Sequence, residues 1–269
     1  MKNKKFILAI IALAAVLILP TNNSSPKPSP LNLRGGGDGG GVTIEARSAL
    51  ALDLLTGEIL FEKNIYEPLP LASLTKIVSS LVIADHINLN DNVEITKSAV
   101  ETPEPSVLKV GEYIRAEDLL AMAMGESSND AMMALVEHFG DQKWFLQLIR
   151  QKALGLGAKT MIFLNPTGLD LGEVASNFGS AWDLAQVAKN SLDSIIWQVG
   201  NKDGLKHTNI LRWEISKIIG AKTGFTDSAE GNLLIIIEHP LGKPKLIIIL
   251  GSTIDGRFEE AKKLVKLLE

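Results

Sequence analysis

The 269-residue chain contains no cysteine. That excludes a disulfide framework, a thiolate zinc site and a cysteine nucleophile. Histidine is scarce. His86, His138, His207 and His239 stand far apart, and no pair has the spacing of metal ligands. Neither a metal nor another cofactor is therefore expected. An excess of basic charge is missing as well. The formal net charge is -4, and no long basic run follows the N-terminus. Nucleic acid is thus not an expected partner. No internal repeat is visible, which excludes a solenoid or propeller.

The longest apolar run near the N-terminus is also short for a membrane span. It extends from Phe6 to Leu19 behind Lys2, Lys4 and Lys5. At 1.5 Å per residue it makes roughly 21 Å of helix, below the ~30 Å of a bilayer core. Residues 1–20 therefore read as a signal peptide or a short membrane anchor. The small-x-small cleavage pattern is poor, so both fates stay open. Either one places the lysines inside and the rest of the chain outside the cytoplasmic membrane. Residues 21–41 are rich in Pro, Ser and then Gly, and read as a flexible tether. The folded domain is expected over residues 42–269.

Hydrophobic residues make up 46% of the chain, enough for a sizeable core. Ser48–Asp53 and Glu58–Lys63 flank Thr56-Gly57 and read as a hairpin. Helical patterns follow over Ser73–His86, Glu117–Met124, Asn129–Phe139, Gln142–Leu154 and Ala181–Lys189. Leu233–Glu238 and Lys245–Leu250 read as a second hairpin, and Arg257–Leu268 as a final amphipathic helix. Strands at both ends with helices between predict an α+β (mixed α/β) fold. One antiparallel sheet is built from both termini, beside a helical region.

Three short motifs carry chemistry. In Ser73-Leu74-Thr75-Lys76, positions three apart share a helix face, so the Lys76 amine can reach the Ser73 hydroxyl. A serine needs such a base, and lysine serves only when neutral. Alone the motif means little, since Ser24-Ser-Pro-Lys27 in the tether matches it too. The second motif is Ser127-Ser128-Asn129. Its hydroxyl can relay a proton and its amide can hold base and substrate, or the residues simply cap the next helix. The third is Lys222-Thr223-Gly224, beside a strand. A cation and a hydroxyl suit a carboxylate. Glycine admits a close substrate backbone. The N–H of Phe225 can complete an oxyanion hole. Lys222 also favours the neutral form of Lys76.

The order S-x-x-K, S-x-N, K-T-G is the known signature of penicillin-binding proteins and class A β-lactamases. From about Arg47 to Leu268 the chain resembles the serine-type D-alanyl-D-alanine carboxypeptidases, the low-molecular-mass penicillin-binding proteins. The likeness includes Thr56–Asn64, Leu71–Lys76, Ser127–Ala131, the loop Asn165-Pro-Thr-Gly-Leu-Asp170 and Lys222–Asp227. The resemblance implies that Ser73 forms an acyl-enzyme and Lys76 takes its proton. It implies that Ser127 relays protons while Asn129 positions Lys76 and substrate. Lys222 and Thr223 are then the clamp for the terminal carboxylate of a peptidoglycan stem peptide. The N–H groups of Ser73 and Phe225 hold the oxyanion, and β-lactams are inhibitors. Ser128 stands where the family usually has glycine, and Phe225 where it often has Tyr or His. The family's frequent C-terminal β-domain and anchor are not found, so attachment is expected to fall to the N-terminus.

Alternatives share these residues. A D,D-endopeptidase acting on cross-links has the same catalytic set. A class A β-lactamase needs a glutamate for deacylation, and Glu173-x-x-x-Asn177 has that spacing; a plain loop is the other reading of it. A non-catalytic penicillin-recognising receptor or scaffold is a further possibility of a different kind.

Overall fold

The computed structural model describes residues 42–103, 107–238 and 241–268. The expected leader (1–20) and tether (21–41) lie outside the described residues. The main sheet contains β1 (Ser48–Asp53), β2 (Ile59–Lys63), β3 (Ile218–Thr226), β4 (Glu230–Glu238) and β5 (Pro244–Ser252). Its order is β2-β1-β5-β4-β3, and every neighbouring pair is antiparallel. The first strand therefore lies beside the last, with Ser48 opposite Leu250. The sheet from both termini is as the sequence predicts.

Besides a single turn at Lys97–Val100, the helices are α1 (Thr75–His86), α2 (Ala116–Ala121), α3 (Asn129–Phe139), α4 (Gln142–Gly155), α5 (Ala181–Lys189), α6 (Ile195–Gly200) and α7 (Gly256–Leu268). Side chains alternate across a strand, so each central strand feeds two layers. Ala49, Ala51, Leu233, Ile235, Ile247 and Ile249 pack with Phe258, Ala261 and Leu264 of α7. Leu50, Leu52, Leu234, Ile236, Leu246 and Ile248 pack against the other helices. Both faces are covered, which explains why Leu233–Ile237 is an unbroken apolar run.

Helix α1 is buried on nearly every side and packs against α3, α4 and α6. A helix with apolar residues all round belongs in a core. Helix starts follow their caps. Asp141 accepts from the N–H of Trp144 at 3.0 Å, and Ser180 with Asp183 forms a capping box.

Helices α3 and α5 keep their expected bounds. Several other boundaries shift by one to three residues, two of them beside the motifs. Helix α1 begins at Thr75 rather than Ser73, because Ala72–Leu74 form a 3-10 turn with Ala72 at φ +46. Helix α2 ends at Ala121 and passes into a π turn, Met122–Glu126, that delivers Ser127 in the left-handed region at φ +64. The sequence reading omits two small antiparallel pairs, Asn92–Glu94 with Tyr113–Arg115 and Leu69–Pro70 with Phe178–Gly179. They are too short to show a period. Among the described residues no helix is long and apolar enough to cross a membrane.

Candidate active site

Ser73 occupies the 3-10 turn before α1. Leu71 and Leu74 are buried on either side and anchor the turn. The N–H of Leu71 donates to the carbonyl of Asn177 at 2.9 Å. Ala72 in the left-handed region costs a residue with a Cβ about 1–2 kcal/mol. The loop after it explains why that conformation persists. Gly168, at φ +86, backs directly onto this turn, and a Cβ there would sit 1.9 Å from the Ala72 carbonyl oxygen. Only glycine allows the two backbones to touch.

Lys76 lies one turn on from Ser73 and is fully buried. Its Nζ lies 2.7 Å from Ser73 Oγ and 3.2 Å from the carbonyl oxygen of Thr167. The third partner is Asn129 Oδ1. Two of these three atoms are obligate acceptors. A neutral amine has two N–H groups and one lone pair. If both N–H groups go to Asn129 and Thr167, the lone pair faces the Ser73 hydroxyl. That is the geometry of a general base poised on its nucleophile.

The second motif splits into distinct duties. Ser128 is the helix cap: its Oγ accepts from the N–H of Ala131 at 3.0 Å. Asn129 opens α3 and is buried against Lys76. Ser127 points instead to the third motif and accepts from Lys222 Nζ at 2.7 Å. The capping reading holds for Ser128, while Ser127 and Asn129 turn to the other two motifs.

Strand β3 brings Lys222, Thr223, Gly224 and Phe225 alongside the nucleophile. It is an edge strand. A Cβ at Gly224 would lie 2.9 Å from the Leu71 carbonyl oxygen and 3.2 Å from the Ser73 nitrogen. The two expected oxyanion donors, the N–H groups of Ser73 and Phe225, therefore belong to backbones in close contact. Lys222 is buried and also donates to the Thr223 carbonyl at 2.8 Å. Thr223 Oγ1 is 2.6 Å from Thr208 Oγ1. Phe225 itself is partly exposed.

Two contributors were not singled out from sequence, and a third, Asn177, was named only for its spacing from Glu173. Thr167 acts through its carbonyl, which residue type does not reveal. Thr208 sits in a loop without a motif, beside His207, whose pKa is lowered by burial and by Arg212. Asn177 ties the site together: its Oδ1 accepts from the N–H of Leu164 at 2.8 Å, and its Nδ2 donates to Thr75 Oγ1 at 3.0 Å. Asn177 is buried while Glu173 is exposed. The E-x-x-x-N spacing thus resolves into a structural amide and a surface carboxylate, as the loop reading predicts. Among the described residues no cluster of His, Asp or Glu could hold a metal ion.

A buried serine–lysine–amide set beside a cation-bearing edge strand is the arrangement of a serine acyl-transfer protein. The comparisons with known proteins give the family. Residues 38–239 match the D-alanyl-D-alanine carboxypeptidase model of the S11 peptidases. The chain is 32% identical to the D-alanyl-D-alanine carboxypeptidase DacC of Escherichia coli K12, over 83% of this chain and 61% of that protein. It is 27% identical to a D-alanyl-D-alanine endopeptidase of Pseudomonas aeruginosa, over 100% of this chain and 89% of the relative. The Streptomyces K15 DD-transpeptidase, solved as its S216A mutant, superposes with a TM-score of 0.76. It is 26% identical, with 84% of this chain and 98% of that one covered. The chain belongs to the S11 D-alanyl-D-alanine carboxypeptidase family of low-molecular-mass penicillin-binding proteins.

Proposed function

We propose that the protein is a serine-type D-alanyl-D-alanine carboxypeptidase that removes the terminal D-Ala from peptidoglycan stem peptides. The observation that carries this reading is the Lys76 environment: its buried Nζ lies 2.7 Å from Ser73 Oγ and is held there by the Asn129 and Thr167 oxygens. Burial and the nearby Lys222 ammonium both favour the neutral amine this requires.

Ser73 Oγ attacks the carbonyl carbon of the penultimate D-Ala, and its proton passes to Lys76. The N–H groups of Ser73 and Phe225 hold the oxyanion. Lys222 occupies a lone pair of Ser127, whose proton passes to the departing amine and is replaced by the one held on Lys76. The C–N bond breaks, D-Ala leaves, and water then hydrolyses the Ser73 ester. Lys222, Thr223 and the partnering Thr208 hydroxyl suit the substrate's terminal carboxylate. The edge of β3 can pair with an extended peptide. A β-lactam takes the same route and remains on Ser73. The charged and apolar segments of residues 1–20 support a site of action outside the cytoplasmic membrane, with the N-terminus cleaved or kept as an anchor.

The alignment with the endopeptidase, which runs the full length of this chain, favours a second reading in which the cut bond is a cross-link. One experiment covers both. The protein is incubated with a pentapeptide ending in D-Ala-D-Ala and with cross-linked muropeptides, and products are read by mass spectrometry. Release of D-Ala supports the first reading, and shortened cross-linked species the second. Ser73→Ala abolishes either activity; product formation that survives this change refutes the nucleophile.

A further inference from the structure

Behind β3, on the side away from the nucleophile, lies a buried cation. Arg257, near the start of α7, is only 7% exposed. Its Nη1 donates to the Gly224 carbonyl at 2.7 Å and to the Asn232 carbonyl at 3.3 Å. These partners are carbonyl groups rather than a carboxylate. Its guanidinium also covers the Phe258 ring, with Cζ 4.7 Å from the centroid. Burial lowers its pKa to about 10, so it remains charged at neutral pH. Its Nε has no partner among the described residues.

Burying a cation costs several kcal/mol, and a neutral amide could satisfy one strand carbonyl more cheaply. The identity of the acceptor gives the charge a purpose. The Gly224 carbonyl and the Phe225 N–H are two ends of a single peptide group, pointing in opposite directions. A cation on the oxygen draws electron density from the nitrogen and makes its hydrogen a stronger donor. It also fixes the plane of that group. The second acceptor reaches the other half of the site. Asn232 donates to the Pro70 carbonyl at 2.9 Å, just before the Ser73 turn, and accepts from the Gly251 N–H at 2.9 Å.

We infer that Arg257 is a positioning residue for acyl transfer: its guanidinium holds and polarises the Gly224–Phe225 peptide that faces the oxyanion. This rests on the proposed oxyanion role of the Phe225 N–H, and the test separates the two. A penicillin carrying 13C at the β-lactam carbonyl acylates Ser73, and the ester stretch is read by isotope-edited infrared spectroscopy. A strongly hydrogen-bonded carbonyl absorbs at lower frequency than a free ester. In the unsubstituted protein the band is expected below that of the same adduct after denaturation. A native band equal to the denatured one refutes the oxyanion hole itself. In Arg257→Gln the band is expected to rise toward the free-ester value, with acylation about tenfold slower. Arg257→Lys keeps the charge and is expected in between. A downshifted band in the unsubstituted protein that stays unchanged in Arg257→Gln overturns the inference, and slower acylation alone then reports only a packing role. If Arg257→Gln does not fold, Arg257→Lys carries the test, and an unmoved band there overturns it equally.

Discussion

Replacing Gly168 by alanine tests how the nucleophile is held. The added Cβ would lie 1.9 Å from the Ala72 carbonyl oxygen and 2.4 Å from its carbon. Ordinary contact begins near 3.4 Å, so one backbone must retreat by 1.5 Å. The retreat cannot be taken up by a flexible side chain, because both partners are main chain. Moving the Ala72 turn shifts Ser73, and moving the loop shifts the Thr167 carbonyl off Lys76. A misplacement of about 1 Å in a reacting group costs about 100-fold in rate. Gly168→Ala is therefore expected to slow acylation by at least about that factor. Gly172→Ala is the matched control. Its φ is +67, yet nothing lies within 4 Å of an added Cβ. It bears only the left-handed penalty of about 1 kcal/mol, and its acylation rate should match the parent. The assay is the second-order rate of labelling by a fluorescent penicillin, alongside thermal melts of all three proteins. Acylation of Gly168→Ala within twofold of the parent would refute the proposed strut between loop and turn.

Other expectations follow from the same geometry. Asn129→Asp places a carboxylate on Lys76 and favours the ammonium, so the pH profile of acylation should move to higher pH; an unshifted profile argues against Lys76 as the base. Ser128→Ala removes the α3 cap and should cost about 1 kcal/mol in denaturant melts, with labelling of Ser73 largely retained. Asp53 is pushed up by burial, but the Lys245 ammonium and the N–H groups of Thr56 and Leu55 outweigh this and lower its pKa from 3.8 to about 2. The stabilisation is present above the ordinary carboxylate value and is lost as pH falls from about 4 to about 2. It amounts to roughly 1–2 kcal/mol after allowance for solvent screening. Asp53→Asn should flatten that part of the stability curve, and an identical acid limb in both proteins rules the pair out as its cause.

The sequence made the secondary structure legible where periods were long. Asn129–Phe139 repeats its apolar residues at helical spacing, and Leu233–Glu238 with Lys245–Leu250 read as a hairpin about a turn. Which side chains meet was legible too, since Lys76 contacts Ser73 and Asn129, and Lys222 contacts Ser127, as their motifs imply. Chemistry carried by the main chain was not. The Thr167 carbonyl contacts Lys76 through an atom that every residue possesses. The left-handed Ala72 has no mark in its own sequence, and the glycine whose backbone it touches, Gly168, lies far along the chain. Arg257 resembles any arginine of an amphipathic helix until the sheet places Gly224 beside it.

The position of β5 between β1 and β4 has a consequence for biosynthesis. Strand β1 finds its central partner only in residues 244–252, far along the chain. Until then it can pair with β2 alone, and a lone hairpin is marginal in water. The nucleophile is thus made early, but the wall that supports it is made much later. Pairing so remote in sequence is slow to form. A chain synthesised only as far as β4 would carry Ser73 in an open, unreactive state. Covalent labelling then reports that β5 has docked.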